Sequence, residues 1–279
     1  MTRLLLILVI GFRKLAISGA CALFLAGATQ GAETIVTVRP DMELQLPGVL
    51  ERVGQQVDKF WSYFSSVTCT EAVTQSKIGE KGKVLFEQKE SFDYLIILQA
   101  SGTDLAVDES RVEKTHKVSK GNASLLETNG FSIFTLIFHP LYQSRYQFRR
   151  LPDEIGPGRH FLRIEFEQVV QDHPLSVLML REREYPLQWR GTAWIDPATF
   201  SVVRIQAGLG STMAETRLLR LDADVTYSDV RFNETTHFWL PSQAVIEAET
   251  KQQHWRNVHQ FSNYRRFEVE TEVKTANPQ

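Results

Sequence analysis

The side chains in this sequence able to do acid–base, metal or nucleophilic chemistry are few, and their spacing does not favour it. Seven histidines, His116, His139, His160, His173, His237, His254 and His259, are scattered without an H-E-x-x-H pair and without a cysteine cluster beside them. The ligand sets that hold zinc are therefore not spelled out. His254 and His259 are the nearest two, and on a regular strand an odd separation sends them to opposite faces. Asp222 and Asp224 in "LRLDADVTY" share a strand face, which suits a carboxyl acid and a carboxylate base if burial separates their pKa values. Their alternation with Leu221, Ala223 and Val225 puts them on the solvent side instead. A hydrolase built on that pair or on a histidine is the enzymatic alternative, and it requires those side chains to converge in a cleft. Cys69 in "SVTCTEAV" would need a basic neighbour to become a nucleophile. Between Val67 and Val73 it reads as a small buried hydrophobe. "GLGST" at Gly208 to Thr212 lacks the pattern of a nucleophile elbow, and "GEKGK" at Gly79 to Lys83 lacks that of a phosphate-binding loop and reads as a hairpin turn. The expectation is a protein that is not an enzyme and holds no cofactor or metal.

What remains is bulk apolar character, which points to binding. Trp61, Trp189, Trp194, Trp239 and Trp255 stand with 17 phenylalanines, and a curved sheet of this size can enclose a cavity for an apolar ligand. Trp61, Phe131, Phe134, Phe138 and Trp194 are the candidate lining residues. The same aromatics could equally fill an ordinary core. The expected partner is an apolar ligand such as a lipid or acyl chain.

The elements that must position these residues are legible from periodicity. In "LPGVLERVGQQVDKFWSYFSS", Leu50, Val53, Val57, Phe60, Trp61 and Phe64 recur at spacings of three and four, which predicts an amphipathic helix with Pro47 in its first turn. Beyond Ser66 the period changes to two. Leu162, Ile164 and Phe166 alternate with Arg163, Glu165 and Glu167. Leu219, Leu221, Ala223, Val225 and Tyr227 alternate with Arg220, Asp222, Asp224 and Thr226, and Phe261, Phe267 and Val269 mark a last strand. "GTAWIDPATFSVVRIQ", Gly191 to Gln206, reads as two strands about a type I turn at Asp196-Pro197-Ala198-Thr199, a scaffold hairpin. "GFSIFTLIFHPLY", Gly130 to Tyr142, breaks the alternation. It is a core strand or short buried helix, or a movable plug over a cavity, and periodicity does not decide among them.

The first 28 residues read as an export signal: Arg3, Arg13 and Lys14 precede an apolar stretch that ends in Ala26-Gly27-Ala28, a cleavage pattern. An uncleaved anchor would need roughly 20 uninterrupted apolar residues, and Arg13 and Lys14 interrupt the run. A lipoprotein signal at Ser18-Gly19-Ala20-Cys21 has Ser where such motifs prefer Leu. Removing Met1 to Ala28 takes away three basic residues and no acid, leaving 28 basic against 33 acidic and a net charge of minus 5. Basic and acidic residues interleave, as in "REREY" at Arg181 to Tyr185, so a phosphate-gripping surface for nucleic acid is not expected. Cys69 is then the only cysteine, and no disulfide within the chain can form. The expected layout is a signal at 1–28, a flexible segment at 29–46, a single β domain at 47–272 and a disordered tail at 273–279. The processed chain would carry no stable transmembrane segment and would reside in the periplasm or cell envelope of a bacterium.

This sequence of parts resembles the outer-membrane lipoprotein carriers and their lipoprotein-sorting relatives: an export signal, an early amphipathic helix, successive antiparallel strands and an apolar central segment. The most similar pieces are the "GTAWIDPATFSVVRIQ" hairpin and "FWLPSQAVIEA", Phe238 to Ala248. The resemblance spans roughly residues 48–272. It implies an incomplete β-barrel capped by helices and sheltering acyl chains, with Phe131 to Phe138 in or over the opening. It matches no ligand-binding residue position by position. The chain is also similar to uncharacterised bacterial exported proteins, which implies no activity. The expected fold is mainly β: a curved antiparallel sheet or incomplete barrel packed on an N-terminal amphipathic helix, with a short apolar central helix or plug. The rival binding reading is an envelope protein-interaction module without a ligand cavity, which uses its strand edges.

Overall fold

The computed structural model describes residues 4–7, 45–64, 66–101, 104–118, 126–169, 176–180, 183–211, 213–234 and 236–267. Most of the expected signal, the 29–44 stretch, Val269 and the 273–279 tail lie outside these residues. In chain order the strands are β1 (Leu4–Ile7), β2 (Val67–Ile78), β3 (Val84–Ser101), β4 (Asp104–Val118), β5 (Leu126–Asn129), β6 (Tyr146–Gly156) and β7 (Arg159–Gln168). They continue with β8 (Val177–Leu180), β9 (Arg183–Pro186), β10 (Trp189–Ile195), β11 (Val202–Leu209), β12 (Leu218–Arg231), β13 (His237–Thr250) and β14 (His254–Arg266). Ten of them form one antiparallel sheet in the order β4-β3-β2-β14-β13-β12-β11-β10-β7-β6. Its edges β4 and β6 do not meet, so the curved sheet stays open rather than closing into a barrel. The other four form a small sheet in the order β5-β1-β8-β9.

The inner face of the large sheet is covered by helix α1 (Leu46–Phe64), whose Val53, Val57, Phe60, Trp61 and Phe64 are buried as the spacing predicts, with Val49 fully buried where Leu50 was expected and Leu50 only partly so. Each such side chain contributes about 1.5–3 kcal/mol on leaving water, so this stripe supplies on the order of 10 kcal/mol, an upper figure because unfolded chains are partly collapsed. Gly130 turns the chain out of β5 with φ 81, a conformation that costs glycine little. From there Phe131–Phe138 forms a 3-10 segment with all eight side chains buried, followed by α2 (Pro140–Gln143). The segment is two short 3-10 pieces joined by a kink at Ile133, and such short tight turns follow neither the strand period nor the α period.

The Asp196-Pro197 hairpin joins β10 to β11. Asp196 Oδ1 accepts from the amides of Ala198 at 2.8 Å and Thr199 at 2.9 Å. The turn is longer than the four residues expected: the Phe200 amide donates to the Asp196 carbonyl at 2.8 Å, and Phe200 takes φ 59. That conformation turns its ring to α1, where the Arg52 guanidinium sits 4.2 Å from the ring centre. A second difference lies in β12, where a register shift between Leu218 and Arg220 buries Leu218 and leaves Leu219 exposed, against the simple alternation.

Candidate functional site

The inner face holds a cavity of about 480 Å³ between α1, the tip of the Asp196-Pro197 hairpin and the adjoining ends of β12 and β13. Its apolar walls are Val57 and Phe60 from α1, Val202 from β11, Tyr227 from β12, and Phe238 and Trp239 from β13. Tyr63 stacks on Phe238 with ring centres 4.2 Å apart at the mouth. Deeper in, Phe60 meets Tyr227 edge-on at 6.4 Å. The Tyr227 hydroxyl accepts from the Thr135 amide at 2.9 Å, and burial pushes its pKa up, so it stays neutral. That bond ties the cavity wall to the 3-10 segment. At the rim, His237 Nδ1 lies 2.6 Å from Asp229 Oδ1, and Lys59 is exposed.

Of the five residues singled out by sequence, the structure brings four together and separates one. Phe131 and Phe134 meet Trp189 edge-on at 6.2 and 5.3 Å, and Phe138 meets Phe166 at 6.2 Å. Trp61 lies 6.1 Å from the His139 ring at the end of the same segment. Burial pushes the His139 pKa down, only partly opposed by Asp58 at 3.4 Å. These four form the packed interior behind the cavity rather than its open walls. Trp194 corrects the expectation: strand alternation puts Ala193 and Ile195 inside and turns Trp194 to the outer face. There its ring lies between the guanidinium groups of Arg163 at 5.7 Å and Arg204 at 5.1 Å, and its Nε1–H donates to Glu154 at 2.7 Å. Tyr63, Tyr227, Phe238 and Trp239 were not singled out as lining. The available signal was the position of Tyr63 beside the apolar stripe of α1 and of Phe238-Trp239 at a strand start.

Sequence reading also missed a buried polar network beside the 3-10 segment. Glu71 on β2 is fully buried, and its carboxylate accepts two hydrogen bonds from Arg111 on β4, at 2.6 and 2.9 Å. His259 on β14 adds a contact from Nδ1 at 2.8 Å. Burial pushes the Glu71 carboxyl up, but the bonds from His259 and Arg111 and the guanidinium charge outweigh it and hold the pKa at about 2. On the far side of the ring, His259 Nε2 lies 2.6 Å from Thr128 Oγ1, and Asn257 Nδ2 donates to the same hydroxyl oxygen at 3.0 Å. The Thr128 hydroxyl thus accepts from Asn257 and links it to the His259 ring, whose other nitrogen faces Glu71. Tyr94 donates to Glu109 at 2.6 Å, and the Gly130 amide donates to the same Glu109 oxygen at 2.8 Å. The network therefore pins β5 and the start of the 3-10 segment to four strands of the large sheet. A carboxylate, imidazole and hydroxyl in line is also the order of a catalytic triad. Here Glu71, His259 and Thr128 are 0, 4 and 3% exposed, so the arrangement serves as a strut.

The remaining sequence candidates fall outside this region. Asp222 and Asp224 lie on the outer face and line an open depression of about 680 Å³. Burial pushes Asp222 up, while bonds from Arg204 and Gln206 outweigh burial and hold Asp224 down. Each has its own arginine, Arg220 at 3.2 Å and Arg204 at 2.5 Å. Cys69 is buried, and its thiol is pushed up to about 12 by burial and by Glu71. His254 faces out toward Glu247 and His259 faces in, as their spacing predicts. Among the described residues no three His, Cys, Asp or Glu side chains are placed to hold a metal ion. Among the same residues no helix is long and apolar enough to cross a membrane.

The site and fold thus define an open antiparallel half-barrel, lidded by one helix and filled by an apolar 3-10 segment, with a partly open aromatic cavity at one end. Among solved structures, the chain is similar to a DUF1329 family protein from Desulfovibrio piger, at 14% identity and a TM-score of 0.36 over 79% of this chain and 92% of that one. It is also similar to a domain from Vibrio parahaemolyticus described as an outer membrane lipoprotein-sorting protein domain, at 12% identity and a TM-score of 0.38 over 80% and 94%. No family model matches the sequence, and no curated protein does.

Proposed function

We propose that this is an exported cell-envelope protein that binds an acyl chain or similar apolar ligand without chemically changing it. The observation that carries the reading is the cavity of about 480 Å³ between α1 and the sheet, walled by Phe60, Tyr63, Tyr227, Phe238 and Trp239 and backed by the apolar Phe131–Phe138 segment. Its size falls in the range of small-molecule pockets, about 300–1,000 Å³. A chain of about 14 methylenes gains roughly 11 kcal/mol on leaving water at about 0.8 kcal/mol each. Association costs at least about 4 kcal/mol, which leaves about 7 kcal/mol, a Kd on the order of 10 µM. Lys59 at the rim would meet a carboxylate or phosphate headgroup.

The test is native mass spectrometry of the protein purified from a bacterial periplasm, with lipid extraction, followed by titration with a fluorescent fatty acid. A co-purifying lipid or micromolar uptake is expected, and Tyr63→Asp, at a half-open position, should weaken uptake at least about tenfold by placing a charge in the mouth. A second reading, an envelope protein-interaction module without ligand, draws support from the burial of all eight Phe131–Phe138 side chains. A clean apo mass with no fatty-acid uptake decides for it.

A further inference from the structure

The small sheet is built around a strand that belongs to the expected signal. β1 (Leu4–Ile7) lies between β5 and β8, parallel to the first with Leu4 opposite Leu126 and Ile7 opposite Asn129, and antiparallel to the second with Leu4 opposite Leu180 and Ile7 opposite Val177. Among the described residues β5 has no other strand neighbour, and β8 has only β9.

Both walls are anchored without β1. On one side, Gln75 and Asn257 donate to the Leu126 carbonyl at 3.1 and 2.6 Å, Thr128 meets His259, and Arg111 donates to Asn129. On the other, the Leu187 amide donates to the Ser176 carbonyl at 2.8 Å, and Trp189 Nε1 donates to the Ser176 hydroxyl at 3.0 Å. With β1 in place, Leu126, Thr128, Val177 and Leu178 are all buried. Removing Met1 to Ala28 would leave two anchored strands about two strand spacings apart, roughly 9–10 Å. The backbone donors and acceptors facing that gap would lose their strand partners and be free to pair with another strand.

We infer that the processed chain carries a strand-acceptor slot between Leu126–Asn129 and Val177–Leu180 that takes an extended apolar segment of another protein, parallel to β5 and antiparallel to β8. A lipid chain cannot serve there, because it has no amides and carbonyls to complete two ladders. A peptide strand has both, and alternate apolar side chains add specificity, as in strand-addition complexes. The test peptide takes the Leu-Leu-Leu-Ile sequence of β1, whose backbone completes both ladders. This inference rests on removal of the signal and is independent of whether the aromatic cavity holds a lipid.

The experiment takes the protein after export and first reads its intact mass. Hydrogen exchange of 126–129 and 177–180 is then followed with and without an eight-residue peptide carrying Leu-Leu-Leu-Ile between flanking lysines. A mass corresponding to residues 29–279, fast exchange in the free protein, and at least about tenfold slowing with the peptide are expected. The same peptide with proline at its second leucine, which removes an amide and fixes φ, should give no slowing. A mass that includes residues 1–28 overturns the inference through the signal reading alone. With the signal gone, slow exchange before peptide is added shows the slot closed or filled from within the chain and overturns it. Failure of the peptide to slow exchange up to millimolar concentration, or equal slowing by the proline peptide, does the same.

Discussion

Replacing Arg111 by methionine tests the buried network most directly, because it removes one side of an ion pair and leaves the other in place. Glu71 is fully buried, and Arg111 is its only guanidinium partner among the described residues. Holding the carboxyl at about 2 instead of its ordinary 4.5 corresponds to about 3 kcal/mol at 1.36 kcal/mol per pH unit. Breaking a buried pair from one side typically costs about 3–5 kcal/mol. For a protein of this size that lowers Tm by about 6–20 °C, at roughly 2–4 °C per kcal/mol.

The pH dependence supplies a sign that a mere packing defect would not. In the native protein the Glu71 pKa is depressed, so its stabilisation is full above the unfolded value of 4.5 and is lost as pH falls toward about 2. In Arg111→Met, burial is opposed by His259 alone and pushes the carboxyl up. Protonation then favours the folded state, so the variant's deficit should shrink as pH falls from 7 to 4. Glu109 also loses the Arg111 charge at 3.2 Å, while its bonds from Tyr94 and the Gly130 amide remain. The double variant Glu71→Gln, Arg111→Met separates the two acids and should be more stable than Arg111→Met alone. Urea unfolding followed by tryptophan fluorescence between pH 3 and 7 measures all of this. A deficit below about 1 kcal/mol, or one that does not change with pH, would refute the reasoning.

Two further outcomes follow from packing. Gly191→Ala places a Cβ 2.1 Å from the Gln206 carbonyl oxygen and 2.8 Å from Ala207 Cα, both backbone of β11. It should cost at least about 3 kcal/mol or abolish soluble expression, whereas Gly208→Ala, whose nearest neighbour is the Asp222 carboxylate at 3.0 Å, should cost less than about 1 kcal/mol because a side chain can move; urea midpoints compare the two. Cys69, buried with its thiol pushed up to about 12, should not react with a disulfide reagent at pH 8 until denaturant is added, and rapid labelling of the native protein would show that the strand around it opens.

The parts of the fold legible in the sequence are those fixed by local period. The stripe of α1, the Leu162-Ile164-Phe166 face, the Asp196-Pro197 turn and the opposed orientations of His254 and His259 all depend on residues within a few positions of one another. Alternation around Trp194 was equally visible, since Ala193 and Ile195 flank it, yet a large aromatic was assigned inward on apolar character alone. The outer face accepted it because Arg163 and Arg204, on neighbouring strands, supply the cations that cover both sides of its ring.

The candidate site shows the limit of that reasoning, because each of its parts comes from a different part of the chain. Glu71 and His259 are 188 positions apart, and Asn257 and Leu126 are 131 apart. No local pattern distinguishes a glutamate that will be buried by an arginine from one that will face water. What brings them together is the pairing of β2 with β14, the strands nearest the two ends of the domain. That same pairing places β14 beneath β5, so the lock on the small sheet forms only when the chain's ends have met. The cavity has a similar origin, since Tyr63 and Phe238 stack across 175 positions because α1 lies across the sheet. Chemistry built from such long-range pairs leaves no spacing motif behind. The strongest pointer available from sequence was therefore negative: an apolar interior larger than the catalytic and metal motifs could account for.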